Sequence, residues 1–237
     1  MSNAFDAAPA AALTPLLGRA EAARYALLRR LAPSMRHHLV VNLQPIGMIY
    51  EVLDRRLRAV QPNLASIHDS AQKINGFAKA ALASCLDVVT WLAPELKATT
   101  GVEDGVRECV GLLATSLGFR GYAIRNEIVA VQGEVSRAAM RNVLTAALIH
   151  ATDRNPPPSE LVLKATAGPV GVRLELSLHS SDGSHGFANE AGYRQLDWSD
   201  LQALAEAESV RIEGDGRALS LVIPWAPGWP ETLIPVA

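Results

Sequence analysis

Apolar residues recur at alternating steps of four and three through two long stretches of the first half of the chain. A seven-residue repeat of this kind forms the seam of a helix in a coiled-coil-like bundle. The break at Gln61-Pro62-Asn63 and the stop at Pro94 therefore predict two long helices in an antiparallel hairpin. The first stripe consists of Leu39, Leu43, Ile46, Tyr50, Leu53, Leu57 and Val60. The second consists of Ile67, Ala71, Ile74, Ala78, Ala81, Cys85, Val88 and Leu92.

The outer sides of the two predicted helices are also apolar, and a hairpin alone buries only one face of each helix. We expect a second copy of the hairpin to cover them, which gives a homodimer with a symmetric four-helix bundle. The alternative is an intramolecular bundle against the second half of the chain. The outer residues are Ile49, Val52, Phe77, Leu82 and Val89.

Two residues near the histidine pair predict local features of the first helix. Ser34 is of a type that caps helices, so the helix is expected to begin there. Pro45 has no amide hydrogen and clashes with the preceding turn, so a kink is expected just after the histidines.

The second half alternates between helical and strand patterns. Together with the hairpin, it predicts an α+β fold: a helical hairpin followed by a two-layer α/β sandwich. The predicted domains are a flexible leader at 1–18, the hairpin at 19–97 and the sandwich at 98–237. Predicted helices cover Val106–Leu117, Ser136–Ala151 and Trp198–Ala207, the last opening at Ser199. Predicted strands are Gly121–Arg125, Ile128–Val131, Leu161–Thr166, Val172–Leu178, Val210–Glu213 and Leu219–Ile223, with a final turn at Gly214-Asp215-Gly216.

Composition narrows the class of protein. The chain has 237 residues and a net charge of −2, so nothing predicts affinity for nucleic acid or for an anionic membrane. No apolar run is long enough to span a bilayer. Cys85 and Cys109 both lie in apolar helical patterns, which is typical of small core residues in a reducing compartment. A cytoplasmic location is expected.

The candidate chemistry lies in Arg36-His37-His38-Leu39-Val40-Val41-Asn42-Leu43-Gln44-Pro45-Ile46. This stretch resembles the H-box of two-component histidine kinases, in which apolar residues follow the phosphoacceptor at plus two, plus six and plus nine. Counting from His37 gives Leu39, Leu43 and Ile46, whereas counting from His38 breaks the phase. His37 lies about 200° around the helix from Leu39, so it is predicted to face solvent. The resemblance implies that His37 accepts a phosphoryl group.

The stretch departs from the H-box pattern at three positions. His38 stands in place of the acid, Val41 in place of the polar residue that supports phosphatase chemistry, and Asn42 in place of proline. A neutral His38 is a possible base or alternative acceptor. The apolar surface near the histidines is the expected face for a partner. It consists of Val40, Val41, Gln44 and Pro45.

The second half is similar in element order to the ATP-binding domain of the same kinases. Arg141–Ala151 resembles the N-box, but Ala146 and His150 stand where the family has asparagines. A glycine-rich loop to cradle phosphates is missing. No bound ATP, magnesium or other cofactor is therefore expected, and the residues are also compatible with a plain α/β scaffold and with His150 as a hydrogen-bonded core histidine. The residues that the resemblance implies for a lost nucleotide site are His150, Asp182, Gly183 and Gly186.

These features predict a histidine phosphotransfer protein of a phosphorelay. It would be a phosphotransferase that exchanges phosphate between His37 and the receiver domain of a response regulator. The alternatives are an atypical histidine autokinase that uses ATP and a dimeric adaptor that binds a receiver domain or kinase without chemistry. No metal site is expected, because His179 and His185 lack a third ligand at suitable spacing.

Overall fold

The computed structural model describes residues 8–93, 95, 97–187 and 193–228, with side chains described from Gly18 onward. Contacts divide the chain into two units. One unit is Ala32–Pro94, and the other combines the residues through Leu31 with Glu95 and everything after it.

Two helices form the Ala32–Pro94 unit, as the seven-residue repeat predicts. Helix α1 is Ala8–Leu57 and helix α2 is Leu64–Leu92, and Asn63 caps α2 by accepting a 3.1 Å hydrogen bond from the Ser66 amide. The amide of Asn42 donates to Ser84 Oγ at 3.0 Å, and the guanidinium of Arg56 donates to Ser70 Oγ at 2.9 Å. Later residues of α1 thus contact earlier residues of α2, so the hairpin is antiparallel. This part of the predicted fold is confirmed.

Helix α1 begins much earlier than Ser34, so the predicted cap is wrong. Ser34 lies inside the helix and is buried, and its hydroxyl has no hydrogen-bond partner among the described residues. Residues 8–18 of the predicted leader also belong to α1. The reason is a second apolar stripe upstream of the first, which packs within the unit of the second half and extends the helix backwards. Its members are Ala20, Ala23, Leu27 and Leu31, all 4% exposed or less.

The other unit is built on a mixed five-stranded sheet in the order β2-β4-β5-β7-β6. Strands β2 and β4 are parallel, while the remaining neighbours are antiparallel. A separate short pair joins β1 to β3. The strands are β1 (Thr99–Gly101), β2 (Tyr122–Asn126), β3 (Glu134–Ser136), β4 (Ser159–Ala167), β5 (Gly171–Ser180), β6 (Arg211–Gly214) and β7 (Ala218–Pro224). The helices are α3 (Val102–Phe119), α4 (Arg137–Ala139), a π-helical turn (Met140–Leu144), α5 (Thr145–Arg154) and α6 (Trp198–Ala207).

The predicted strand at Ile128–Val131 does not form. The side chain of Asn126 accepts a 3.1 Å hydrogen bond from the Ile128 amide, and this local turn ends β2. β2 then pairs in parallel with β4 instead of forming a hairpin with the next residues. Strands β4, β5 and β7, the helix α6 and the closing turn lie where the sequence predicts them.

Buried and exposed side chains alternate along the central strands, and the buried ones form the core. One face carries polar side chains, while the other packs against the helices, as a two-layer sandwich requires. Ser136 caps α4, with Ala139 N donating to its hydroxyl at 3.2 Å. α6 is capped by Asp197 and not by Ser199, because Asp197 and Asp200 exchange side-chain-to-backbone bonds in a capping box. Fully buried core side chains include Leu148, Leu161, Leu163, Leu174, Leu201, Leu204, Leu221 and Ile223.

The two cysteines differ in burial. Cys109 is buried and its Sγ lies 3.6 Å from the Met140 carbonyl oxygen. Burial raises the pKa of the Cys109 thiol to about 12, so it stays protonated at neutral pH. Cys85 is exposed in the single chain, in contrast to the core position that its pattern predicted.

Candidate functional site

The histidine pair lies in the middle of α1. His37 is exposed and His38 is half-buried, and their ring centroids are 6.3 Å apart with the planes tilted by 54°. The difference follows from their 100° separation on the helix, since His38 is four residues before Asn42, which bonds to Ser84 of α2, and therefore lies on the same side of α1 as Asn42. His37 thus has the solvent access that a phosphoacceptor needs.

The side chain of Asn42 links the helical turn that contains His38 to helix α2. Its side-chain amide donates to the His38 carbonyl oxygen at 3.1 Å and to Ser84 Oγ of α2 at 3.0 Å. The sequence marked Asn42 only as a departure from the proline of the H-box. In the structure it links the turn of the histidines to the second helix of the hairpin.

The surface around the histidines is apolar, as predicted. Val40 is 44% exposed and Val41 is 50% exposed, while Gln44 is exposed and Pro45 is half-buried. Apolar residues of the seam itself are also open in the single chain. Leu43, Tyr50, Leu57 and Leu92 are each at least half exposed.

His150 occupies the helical layer of the sandwich. It is 3% exposed, its Nδ1 lies 2.8 Å from the Leu196 carbonyl oxygen, and its ring centroid is 6.0 Å from that of Trp198. Leu196 and Leu201 are themselves buried. The environment is that of a hydrogen-bonded core histidine.

The remaining residues implied for a nucleotide site lie in the loop after β5. Asp182 and Gly183 are exposed. Gly186 packs directly on the backbone of Arg120 and Gly121, where a side chain would not fit. His150 and Gly186 border different cavities, of about 330 Å³ and 370 Å³. The structure therefore does not join these residues into one site.

A buried charge cluster that the sequence did not predict lies at the end of α5. Both oxygens of Asp153 accept hydrogen bonds from the Arg30 guanidinium at 2.7 Å, and the Leu196 amide donates to Oδ2 at 3.2 Å. The side chains of Arg30 and Asp153 are 5% and 1% exposed. Arg120 approaches the same carboxylate at 3.6 Å. The sequence does not reveal this cluster, because Arg30, Arg120 and Asp153 lie far apart along the chain.

Among the residues that the structure describes, no group of three or more His, Cys, Asp and Glu side chains is placed to hold a metal ion. Among the described helices, none combines the length and the apolar character of a membrane-spanning segment.

No protein-family model and no curated protein matches the chain. Solved structures to which it is similar include a histidine kinase from Burkholderia phymatum STM815, at 15% identity and a TM-score of 0.43, over 84% of this chain and 99% of that one. It is also similar to the histidine kinase ThkA in complex with the response regulator protein TrrA, at 12% identity and a TM-score of 0.42, over 94% and 68% of the two chains. A bacterial phosphotransferase is similar at 13% identity and a TM-score of 0.39, over 83% and 95%.

Proposed function

We propose that the chain is a histidine phosphotransfer protein of two-component signalling, which exchanges a phosphoryl group between His37 and the aspartate of a receiver domain. The observation that carries the proposal is the exposed His37 on a long helix of an antiparallel hairpin, with exposed Val40 and Val41 beside it. A phosphoacceptor needs solvent access, and a docked partner needs an apolar contact surface.

The reaction needs little from the chain beyond positioning. The unprotonated ring nitrogen of a neutral His37 attacks the phosphorus of the aspartyl phosphate, the P–N bond forms, and the P–O bond to the carboxylate breaks. The second ring nitrogen then releases its proton to solvent or to a nearby base. His38 is close enough along the helix to be considered for that role, with ring centroids 6.3 Å apart.

Docking would use the surface formed by Val40, Val41, Gln44 and Pro45. Two of these side chains are apolar and about half exposed, which favours a partner surface over a solvated helix face. The bond from Asn42 to Ser84 keeps this turn of α1 attached to α2, so the surface is held rigid.

Incubation with a receiver domain carrying labelled aspartyl phosphate tests the proposal. We expect the label to move to this chain and to behave as a phosphoramidate, which is lost in acid and retained in alkali. A receiver that binds the chain without transferring label would instead make it a docking adaptor, and the proposal would fail.

An autokinase activity is not expected, and nucleotide binding gives a separate measurement. His150 is 3% exposed, its Nδ1 lies 2.8 Å from the Leu196 carbonyl oxygen, and His150 and Gly186 border different cavities. We predict no change in melting temperature with millimolar Mg-ATP. A bound ligand at 100 times its Kd would add about 2.7 kcal/mol to the free energy of unfolding, so binding would be detected. A magnesium-dependent rise that Asp182→Ala removes would favour the autokinase instead.

We further propose that a second copy of the chain covers the open apolar side of the hairpin. Leu82, Leu86 and Val89 of α2 are more than half exposed in the single chain, and their spacing places them along one side of the helix. A four-helix bundle would bury them.

Leu82→Glu is predicted to convert a dimer into a monomer, measured by light scattering after gel filtration. The change should leave the helical content of the single chain intact, because Leu82 is 61% exposed there. Ala83→Glu is the matched control, since Ala83 is the next residue and is also exposed. A wild-type chain that elutes as a monomer at all concentrations would refute the bundle.

A further inference from the structure

A cavity of about 370 Å³ lies at the carboxyl end of α5. Small-molecule sites in proteins begin at about 300 Å³, so this cavity has the size of a site for a compact metabolite. Its walls combine ring and proline surfaces with charged groups. They include Arg120, Tyr122, Asp153, Arg154, Pro157 and Phe187.

The charges around the cavity do not cancel. The charged residues of its lining are Arg120, Arg154 and Asp153. Arg30 already engages both oxygens of that carboxylate at 2.7 Å. Because Arg30 neutralises Asp153, the lining keeps the positive charges of Arg120 and Arg154 in excess.

The ion pair of Arg120 with Asp153 is long. Its guanidinium lies 3.6 Å from Asp153, which is too long for a hydrogen bond, although its side chain is only 15% exposed. It also stacks over the Tyr122 ring, 5.2 Å from the centroid. Burial, with a contribution from nearby Arg30, holds the pKa of the Arg120 guanidinium below its usual value, because the charged form is not fully compensated.

Arg154 supplies the second cation. It borders the cavity and makes no ion pair with any residue that the structure describes. The Phe187 ring at the same cavity is 79% exposed and offers an apolar face beside the charges. A guanidinium pair binds a phosphate through several charge-assisted hydrogen bonds, and an exposed ring suits an organic body.

We propose that this cavity binds a small phosphate monoester without a metal ion, with its phosphoryl group between Arg120 and Arg154 and its organic body against Phe187 and Pro157. The carboxylate of Asp153 is occupied by Arg30 and is therefore not free to hold magnesium, which separates this ligand from a metal nucleotide. The site is independent of His37 and does not depend on phosphotransfer.

Titration calorimetry of the full chain at constant ionic strength tests the site, with phenyl phosphate as the probe. We expect saturable binding that Arg154→Gln weakens about tenfold or more, the effect of losing a hydrogen bond between charged groups. Arg154 is exposed, so this variant should fold normally. Arg120→Gln should weaken binding at least as much, provided that its circular dichroism matches that of the wild type.

Arg173→Gln is the matched control, because Arg173 is an exposed arginine on β5 whose guanidinium donates to Ser220 Oγ at 2.9 Å. Its affinity for phenyl phosphate should equal that of the wild type. Binding that all three variants weaken equally, or that none weakens, would overturn the proposal. If benzoate binds more tightly than phenyl phosphate, the ligand is not recognised by a phosphoryl group. If inorganic phosphate binds as tightly as phenyl phosphate, the organic body is not recognised and the assignment of the ligand as an ester is overturned.

Discussion

His37→Ala is expected to reduce labelling by a phosphorylated receiver domain to background. His37 is the exposed member of the pair, and the apolar phase of α1 from Leu39 onward places it in solvent. Removing the imidazole removes the nucleophile, so no P–N bond can form. The measurement is transfer of radiolabel from the receiver to the chain, quantified against loss from the receiver.

His38→Ala is the matched control for that experiment. It removes a neighbouring imidazole that is half-buried, and the bond from Asn42 to the carbonyl of residue 38 is retained because it uses the backbone. Labelling should persist, at a reduced rate if His38 acts as a base. Label that survives in His37→Ala but is lost in His38→Ala would show that His38 is the acceptor, and the assignment of His37 would be wrong.

Asp153→Ala is expected to cost about 3–5 kcal/mol in the free energy of unfolding, the range measured when one partner of a buried ion pair is removed. Asp153 is 1% exposed at its side chain and accepts two 2.7 Å hydrogen bonds from Arg30, which is 5% exposed. Without the carboxylate, Arg30 is a buried cation with no counterion, and the Leu196 amide loses its acceptor. Urea denaturation followed by circular dichroism measures the loss.

Two comparisons separate burial from charge. Arg107→Ala removes a guanidinium that pairs with Glu103 and Asp104 at the surface, where it is 66% exposed, so it should cost no more than about 1 kcal/mol. Replacing both Arg30 and Asp153 by apolar residues should cost less than Asp153→Ala alone, because the buried Arg30 cation is removed together with its counterion. Equal losses in Asp153→Ala and Arg107→Ala would show that the buried pair contributes no more to the free energy of unfolding than the surface pair.

The sequence was most informative where periodicity and local turns decide the structure. The repeat from Leu39 to Leu92 predicted the hairpin, and the pattern of Trp198–Ala207 predicted a helix with the same bounds. In both, neighbouring residues supply the backbone hydrogen bonds, and the apolar period places like side chains on one face of the helix. The phase of that repeat also picks out His37 from His38, and His37 is the more exposed of the two.

The tertiary structure decided the features in which distant residues meet. The side chain of Asn126 ends β2, and only the folded sheet shows that β2 pairs in parallel with β4. Ser34 was expected to begin a helix, yet the apolar stripe through Leu27 extends that helix upstream, because its burial depends on the second half of the chain.

The sequence by itself therefore determined the helical hairpin, the strands β4, β5 and β7 with helix α6, and an outward-facing His37, because each depends on short-range periodicity. Only the tertiary structure brought Arg30 to Asp153, 123 positions away, and placed Arg120 and Arg154 around one cavity. Such charge clusters depend on which distant elements pack together, and no local spacing in the chain encodes that packing.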